Sequence, residues 1–382
     1  MHATGRARYL GGVTDERAAP RRIQPIAAAS GAEVLVGGRR LVSFAGCDSL
    51  GLARHPDVVA AAQEALARCG VSASASRTTT GTFEEHVRLE AAVAAYMATE
   101  DAVVLPSGWM SAAALVRALV PPARAVVVDA DAHPAVREAA AASGVDVVTY
   151  AHFDAADAER VAEPLVGGRP LHLTCSVDLV TGAVAPLAEL ARAAEELAGV
   201  LVVDDAHGVG VLGAHGRGAV EHRGATASHV HVAGTLGKAF GVAGGFVAGS
   251  RAVCDAVRAR APCYAGTTPL PPALAAAARR ALELASDGAL RERLRRVCEL
   301  ARERLGALGL RVPAEPVPWL AVADRDAASL RRIERACADA GLLVPYVRYD
   351  GAPAEGCLRI ALSAAHTDEH IARLAAALAP AS

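Results

Sequence analysis

The stretch Val232-Ala-Gly-Thr-Leu-Gly-Lys-Ala-Phe-Gly-Val-Ala-Gly-Gly245 places one lysine, Lys238, among small and apolar residues. The apolar run from Val230 to Ala233 predicts a buried strand that ends shortly before this lysine. Glycines on both sides allow the backbone and a flat ligand to approach closely. A lysine held partly out of water has a lowered pKa, and its neutral amine is a Schiff-base nucleophile. The stretch therefore predicts a reactive lysine at the end of a buried strand.

The same residues do not form a nucleotide-binding phosphate loop. In Gly234-Thr-Leu-Gly-Lys238 two residues separate the glycines, and Ala239 follows the lysine. A phosphate loop needs a longer spacing between its glycines and a Ser or Thr after the lysine. A solvated surface lysine is the simpler alternative. A second predicted strand, about thirty residues earlier in the chain, argues against it.

That preceding strand is predicted within Gly199-Val-Leu-Val-Val-Asp-Asp-Ala-His-Gly-Val-Gly210, and Asp204, Asp205 and His207 stand at its end. An acid closing one buried strand and a lysine closing the next form the polar pair that pyridoxal 5'-phosphate (PLP) requires. The lysine binds the cofactor covalently, and the aspartate pairs with the pyridinium nitrogen. The two strands together predict a PLP site.

Composition limits the other classes of function. The 382 residues have a net charge of −2, which gives no electrostatic case for nucleic acid or an anionic membrane surface. No apolar run has the roughly 18 residues of a membrane span, and the N-terminus lacks the apolar core of a signal peptide. The eight cysteines are scattered without a Cys-x-x-Cys pair, which predicts reduced thiols, no metal site and a cytoplasmic location. Lysine is scarce, which makes Lys238 more conspicuous.

The order of predicted elements indicates an α/β fold. Short Val- and Leu-rich strands alternate with helices, which predicts a mostly parallel sheet covered on both faces, with ligands at the carboxyl ends of its strands. We predict an N-terminal arm and small hairpin over 1–45, a large domain over 46–275 and a smaller α+β domain over 276–382. The predicted strands lie at 33–36, 40–44, 102–105, 125–129, 145–150, 170–174, 200–204, 229–233 and 317–322, with further strands near Leu343 and Leu358. The predicted helices cover 56–68, 83–97, 110–119 and 327–340, with a helical region up to about Leu308 that breaks near Asp287-Gly288 and a closing helix after Thr367.

Two motifs carry a resemblance to a known family. Asp204-Asp-Ala-His-Gly-Val-Gly-Val-Leu-Gly-Ala-His-Gly-Arg-Gly218 and Gly234-Thr-Leu-Gly-Lys-Ala-Phe-Gly241 resemble those of the α-oxoamine synthases, from about Arg21 to His366. This group contains 8-amino-7-oxononanoate synthase, 5-aminolevulinate synthase, 2-amino-3-ketobutyrate CoA ligase and serine palmitoyltransferase. The resemblance implies the PLP-dependent transferase fold type I.

The resemblance also implies roles around the cofactor ring. Lys238 matches the lysine that binds PLP and moves protons at the substrate α-carbon. Asp204 matches the partner of the pyridine nitrogen, and His207 matches the histidine bonded to the ring hydroxyl. His133, in Asp129-Ala-Asp-Ala-His-Pro-Ala-Val, matches the histidine stacked on the ring.

Further positions match the phosphate-binding parts of the family. Ser107-Gly-Trp-Met110 lies between a predicted strand and helix, as a phosphate site at a helix N-terminus requires. It resembles the family's Ser-Gly-aromatic loop, so Ser107, Gly108 and Trp109, together with Thr235, are expected to bind the phosphate. Thr267 and Thr268 resemble the loop by which a neighbouring subunit reaches the phosphate, which implies a homodimer with shared sites. A simple turn before the next helix is the alternative for these threonines.

The substrate side departs from the family. Arg359 aligns with the arginine that binds the substrate carboxylate, and a guanidinium suits a bidentate grip. Arg21 resembles an arginine at the substrate entrance, although Arg22 adjoins it. The usual Asn-Asp-Tyr-Leu-Gly-Leu is Cys47-Asp-Ser-Leu-Gly-Leu52 here, and the usual Glu-Gly-x-Phe-Ser-Met-Asp-Gly-Asp is Cys175-Ser-Val-Asp-Leu-Val-Thr-Gly-Ala183. The expected groups are therefore replaced by Cys47, Ser49, Cys175 and Leu179. We infer a non-standard amino acid or acyl donor, with harmless drift as the alternative.

Arg77 and His86 match the family's glycine-rich loop and helix start, with loop anchoring and helix capping as the alternative.

The implied activity is a decarboxylative condensation of a small α-amino acid with an acyl thioester, delivered by coenzyme A or an acyl carrier protein. The product is an α-aminoketone in a biotin-like or specialised pathway. Another fold-type-I reaction, such as that of an aminotransferase, and a non-catalytic partner subunit of a heterodimeric synthase are the alternatives. Such subunits typically lose the lysine that this chain keeps.

Overall fold

The structure is a computed structural model that describes residues 25–120, 122–348 and 352–379. Its strands are β1 (Ile26–Ser30), β2 (Glu33–Val36), β3 (Arg39–Ser43), β4 (Asp101–Leu105), β5 (Ala125–Asp129), β6 (Asp146–Tyr150), β7 (Leu171–Cys175), β8 (Val200–Asp204), β9 (Val230–Thr235), β10 (Gly245–Gly249), β11 (Trp319–Val322), β12 (Leu342–Leu343), β13 (Tyr346–Val347) and β14 (Cys357–Ala361).

The helices cover both faces of the central sheet. They are α1 (Pro56–Cys69), α2 (Glu84–Met97), α3 (Trp109–Leu119), α4 (Pro134–Ala141), α5 (Ala155–Ala162), α6 (Leu187–Glu196), α7 (Ala219–His222), α8 (Arg251–Arg260), α9 (Pro262–Ala265), α10 (Pro272–Ala285), α11 (Ala289–Gly306), α12 (Ala327–Asp339) and α13 (Asp368–Leu378). Among the described helices, none combines the length and the apolar character that crossing a bilayer requires.

A seven-stranded sheet with the order β4-β10-β9-β8-β7-β5-β6 forms the centre of the fold. The strands from β9 to β6 pair in parallel, and β10 is antiparallel to both of its neighbours. The strands are apolar on both sides: Val127 faces one core cluster, whereas Val126 and Val128 face the other. This burial on both faces explains the continuous Val and Leu runs in the sequence. The predicted α/β fold is confirmed.

Two smaller sheets contain the N-terminal and C-terminal strands. The first has the order β1-β2-β3-β12, and its parallel pairing of β12 with β3 joins residues distant in sequence. The second has the order β11-β14-β13 and is antiparallel. The C-terminal segment therefore completes the sheet begun by the N-terminal hairpin, and the proposed domain boundaries remain a prediction.

Most predicted elements are present with shifts of one or two residues. β5 and β8 have the predicted bounds, and the helical region after Pro269 breaks at Asp287-Gly288, between α10 and α11. β1, β10 and β13 were not predicted from the sequence. The first contains three alanines, which have low strand propensity, and β10 begins and ends with glycine.

Candidate active site

The site lies where the parallel strands end. Cys175 and Asp204 are the last residues of β7 and β8 and are directly paired in register. Asp204 is also paired with Ala233 in β9, the strand that leads to Lys238. Because the strands are parallel, the side chains after each carboxyl end meet at one edge of the sheet.

Lys238 is held in a tight turn after β9. Its carbonyl accepts a hydrogen bond of 2.9 Å from Gly241 N, and Gly241 has a positive φ of 68°. A Cβ at Gly241 would lie 2.3 Å from Ala53 N, so only glycine fits. Burial lowers the pKa of Lys238 below its ordinary value, whereas the nearby carboxylate of Asp204 acts in the opposite direction. The result is a lysine whose neutral, nucleophilic form is more accessible than on a surface.

Two adjacent acids at the end of β8 have different roles. Asp204 accepts a hydrogen bond of 3.1 Å from Ala206 N, and it lies close enough to Lys238 for its charge to act on the pKa of that lysine. Asp205 is fully buried, its Oδ2 accepts from Ala219 N at 2.7 Å, and burial raises its pKa to about 7. Asp205 therefore fixes the loop that follows the strand, and Asp204 is the acid that is available to a ligand.

His207 faces this centre from the loop after β8, and His133 faces it from the loop between β5 and α4. Burial lowers the pKa of His207 well below its ordinary value, and the charges of Lys238 and Arg359 act in the same direction. Burial also lowers the pKa of His133, although Asp204 opposes that shift. Both imidazoles are therefore neutral near pH 7 and can donate or accept a hydrogen bond.

The backbone around His133 determines where its ring lies. His133 N donates to Cys175 Sγ at 3.1 Å, and His133 Nδ1 accepts from Ala135 N at 3.2 Å, which caps α4. The ring of Trp109 meets the His133 ring edge to face, with the centres 5.4 Å apart. Cys175, which the sequence analysis identified as a departure from the family, thus contacts a predicted site residue.

The segment before α3 has the geometry of an anion site. Ser107 Oγ accepts from Trp109 N at 3.3 Å at the start of this eleven-residue helix. A Cβ at Gly108 would lie 2.5 Å from Thr235 Oγ1, so a glycine is needed for the two segments to touch. Thr235 Oγ1 in turn accepts from Gly237 N at 3.1 Å. The predicted set of Ser107, Gly108, Trp109 and Thr235 is therefore brought together beside Lys238.

Arg359 reaches the site from β14. Its Nη1 donates to Gly46 O at 3.3 Å, and Nη1 and Nη2 lie 3.9 and 4.0 Å from Cys47 Sγ. Its guanidinium carbon lies 5.9 Å from the centre of the Trp319 ring. Arg359 is one of the charges that perturb Lys238, which places both in one cluster.

The other substitutions relative to the family have structural contacts. Ser49 is buried and its hydroxyl donates to Cys47 O at 3.3 Å. Leu179 packs against the main core cluster. Of the four substituted residues, Cys47 and Cys175 are those with contacts to Arg359 and His133.

Several predicted residues lie elsewhere or have other contacts. Arg77 forms a buried, two-pronged ion pair with Glu90 at 3.0 and 3.1 Å, and His86 Nε2 contacts Leu270 O at 2.6 Å. Both contacts favour the alternative of loop anchoring and capping. Thr267 Oγ1 donates to Cys263 O at 2.8 Å, and Thr268 is exposed. Arg21 lies outside the described residues.

A polar triad at the end of β5 was not predicted from the sequence. Buried Asp129, at the end of β5, accepts from His152 Nδ1 at 2.8 Å and from Asp131 N at 2.9 Å. His152 Nε2 lies 3.6 Å from Asp178. Burial alone would lower the pKa of His152, but its hydrogen bond to Asp129 and the nearby carboxylate of Asp178 raise it to about 10. His152 therefore lies between the end of β5, which leads to His133, and the segment that follows Cys175.

Trp319 was also missed. It is 2% exposed on β11, and its ring meets that of His207 edge to face with the centres 5.2 Å apart. The only signal in the sequence was rarity, because the chain has two tryptophans.

These groups fit PLP. The lysine has a pKa lowered by burial, and Asp204 lies near it at the strand ends. The close contact between Gly108 and Thr235, beside the N-terminus of α3, suits a phosphate. The fold and the site together define a PLP-dependent enzyme of fold type I.

Comparisons with known proteins agree with this class. A family model described as aminotransferase class I and II matches residues 40–378. An 8-amino-7-oxononanoate synthase from Stutzerimonas stutzeri is 39% identical over 352 residues, covering 91% of this chain and 90% of that protein. Another, from Maricaulis maris, is 38% identical and covers 95% of this chain and 92% of that protein.

Solved structures of serine palmitoyltransferases are similar too. One from S. paucimobilis with bound PLP and myriocin has a TM-score of 0.89 at 27% identity, covering 94% of this chain and 92% of that chain. One from Sphingomonas wittichii has a TM-score of 0.87 at 26% identity, covering 93% and 90%. The chain belongs to the aminotransferase class I and II family and, within it, to the α-oxoamine synthases, which are PLP-dependent acyltransferases.

Proposed function

We propose that this enzyme condenses a small α-amino acid with an acyl thioester, with loss of carbon dioxide, and forms an α-aminoketone at the site around Lys238. The convergence of Lys238, Asp204 and Arg359 carries the proposal. Lys238 and Asp204 provide for the cofactor, and the guanidinium of Arg359 lies close enough to perturb the pKa of Lys238. A cofactor site and a carboxylate-binding group in one cluster suit an α-amino acid.

The residues have distinct roles in this reaction. Bound PLP supplies an electron sink for the negative charge that develops at the amino acid α-carbon. Lys238 would hold the cofactor through its side-chain amine and would carry the proton removed from the amino acid α-carbon, for which its lowered pKa is suited. Asp204 would pair with the protonated pyridine nitrogen, and neutral His207 would bond the ring hydroxyl. His133 would hold the ring and position the substrate carboxylate.

We propose that the substrate of this enzyme differs from the substrates of the usual family members. Cys47 and Cys175 contact Arg359 and His133, the two groups assigned to the substrate. A thiol is less polar than the Asn and Glu of the usual motifs and makes weaker hydrogen bonds. We therefore propose a specialised amino acid or acyl donor, with the thioester carried by coenzyme A or an acyl carrier protein.

We also propose a cytoplasmic homodimer in which Thr267 and Thr268 reach the phosphate of the neighbouring site. The eight cysteines are free thiols, which suits a reducing compartment. An apolar groove of about 630 Å³ is lined by α1, residues 241–243 and the start of α10. Its rim includes Val71, which is 76% exposed, as expected for a surface that another subunit covers. The loop with Thr267 leads into α10, so a second copy in this groove lies beside that loop.

An absorbance titration of the PLP-loaded protein tests the reaction. Glycine, alanine, serine and larger amino acids are added singly, and acyl-CoA or acyl carrier protein thioesters follow. We expect one amino acid to change the spectrum of the bound cofactor and one thioester then to release its thiol together with carbon dioxide.

Lys238→Ala is the control and should release no thiol. Formation of a keto acid from the amino acid without thiol release would replace the proposal with an aminotransferase. A protein that takes up no PLP would indicate a non-catalytic partner subunit instead.

A further inference from the structure

Trp319 connects two predicted site residues that come from different parts of the fold. One side of its indole faces Arg359, whose guanidinium carbon lies 5.9 Å from the ring centre. The ring also meets His207 at 5.2 Å with an angle of 68° between the planes. Trp319 is 2% exposed. A buried ring that packs edge to face on His207 and lies within cation–π range of Arg359 is in a position to orient the guanidinium.

The strand register produces this arrangement. β11 and β14 are antiparallel, with Ala321 opposite Arg359 and Trp319 opposite Ala361. Trp319 and Arg359 are therefore diagonal neighbours on the same face of the sheet, a separation that an aromatic ring and a long side chain can bridge. The small side chain of Ala321 leaves room for the guanidinium to reach the indole.

Other contacts hold the guanidinium weakly. Its bond to Gly46 O is long at 3.3 Å, and its two contacts with Cys47 Sγ are 3.9 and 4.0 Å. Its Nε is buried without a hydrogen-bond partner among the described residues. These contacts leave the plane of the guanidinium poorly fixed, so the face of the indole is the main constraint on it. Among the aromatic side chains, tryptophan gives the strongest cation–π interaction.

We propose that Trp319 is a positioning residue for substrate recognition, which holds the Arg359 guanidinium in the orientation that grips the amino acid carboxylate. The inference rests on the proposed function, because it takes Arg359 as the carboxylate group. It goes beyond that function by making the selectivity for a carboxylate depend on a residue that does not contact the carboxylate.

The experiment measures selectivity for the carboxylate by binding alone. Dissociation constants are determined from the absorbance of bound PLP for pairs that differ only in the carboxylate: alanine with ethylamine, serine with ethanolamine and glycine with methylamine. The ratio of the amine constant to the amino acid constant is compared in wild type, Trp319→Phe, Trp319→Leu and Arg359→Gln, using the pair with the largest wild-type ratio. Leu320→Met is the control, since Leu320 is a buried residue of the same strand.

We expect the ratio to fall about threefold in Trp319→Phe and roughly tenfold in Trp319→Leu, following the order of cation–π strength. The amine constants should stay unchanged, and Leu320→Met should keep the wild-type ratio. If only Trp319→Phe folds, its threefold fall with an unchanged amine constant is still the expected result.

Two results would overturn the inference in different ways. A wild-type ratio in the Trp319 variants, or equal weakening of amine and amino acid, would give Trp319 a merely structural role while the proposed function stands. A wild-type ratio in Arg359→Gln would remove the carboxylate assignment itself, and the inference would fail with that part of the proposed function.

Discussion

Lys238 is the only lysine in the 382 residues, so amine chemistry in this chain has one side-chain target. The surface carries its positive charge as arginine, which does not form Schiff bases at ordinary pH because it stays protonated. The consequence is that labelling can locate the cofactor without ambiguity.

Replacing Lys238 with alanine should leave the fold intact and reduce turnover by more than about 10³-fold, since the variant loses both nucleophile and proton carrier. Borohydride reduction of the PLP-loaded wild type, followed by peptide mass spectrometry, should place one cofactor on residue 238 and leave Lys238→Ala unlabelled. Retained turnover in the variant would contradict the assignment of Lys238.

Much of the cofactor side of the site could be proposed from sequence, whereas Trp319 could not. Asp204 ends one strand, and His207 and Lys238 follow strand ends within three residues, where parallel topology brings them together. Trp319 comes from a different sheet, more than 80 positions after Lys238 in the printed sequence, and its place depends on the register of β11 with β14. A contact that depends on register between distant strands has no local signal in the sequence.

At the scale of a single strand, β7 contains a histidine that the chemistry does not use. His172 is fully buried, and neither ring nitrogen has a hydrogen-bond partner among the described residues. Burial lowers its pKa to about 4. The unfolded chain binds a proton at this side chain near pH 6.5 and the folded chain only near pH 4, so folding stability is lost as the pH falls between these values.

His172 should therefore account for about 2 kcal/mol of the fall in unfolding free energy between about pH 7.5 and pH 5. We expect His172→Leu to remove that part of the fall. Urea unfolding at the two pH values measures this difference. Leu201→Met, at the residue paired with His172 in β8, is the matched control. It should shift stability equally at both pH values, because it changes packing and adds no titratable group. An unchanged pH dependence in His172→Leu would mean that the buried histidine finds a partner in solution.

The strands that the sequence analysis missed show where local patterns are insufficient. β10 is antiparallel in an otherwise parallel sheet, and its glycines resemble those of a loop. Gly234 in the neighbouring strand β9 shows one reason for glycines in this part of the sheet. A Cβ there would lie 2.1 Å from the Phe246 ring, so glycines in this region make room for packing across strands. The sequence shows the glycines, but only the paired strands show what approaches them.

For the whole molecule, the fold class followed from the alternation of strands and helices, but the assembly does not follow from one chain. Thr267 and Thr268 lie in a loop that leads into α10, beside the apolar groove of α1 and α10. In our proposal a second copy covers this groove and receives the threonines at its phosphate site. Cofactor affinity and dimerisation should then be coupled, because each site needs both chains.

Val71→Glu tests this coupling, since it places a charge on the rim of the groove at a side chain that is 76% exposed and therefore adds little strain to the single chain. Sedimentation velocity should show the wild type at twice the 38.9 kDa chain mass and the variant shifted toward one chain. PLP affinity should fall in parallel and recover as protein concentration rises.

Val166→Glu is the matched control, because Val166 is 71% exposed and does not line the groove. It should change neither the oligomeric state nor the PLP affinity. A variant that remains a dimer would exclude the groove as the interface, and a wild-type monomer that binds PLP tightly would exclude shared sites altogether.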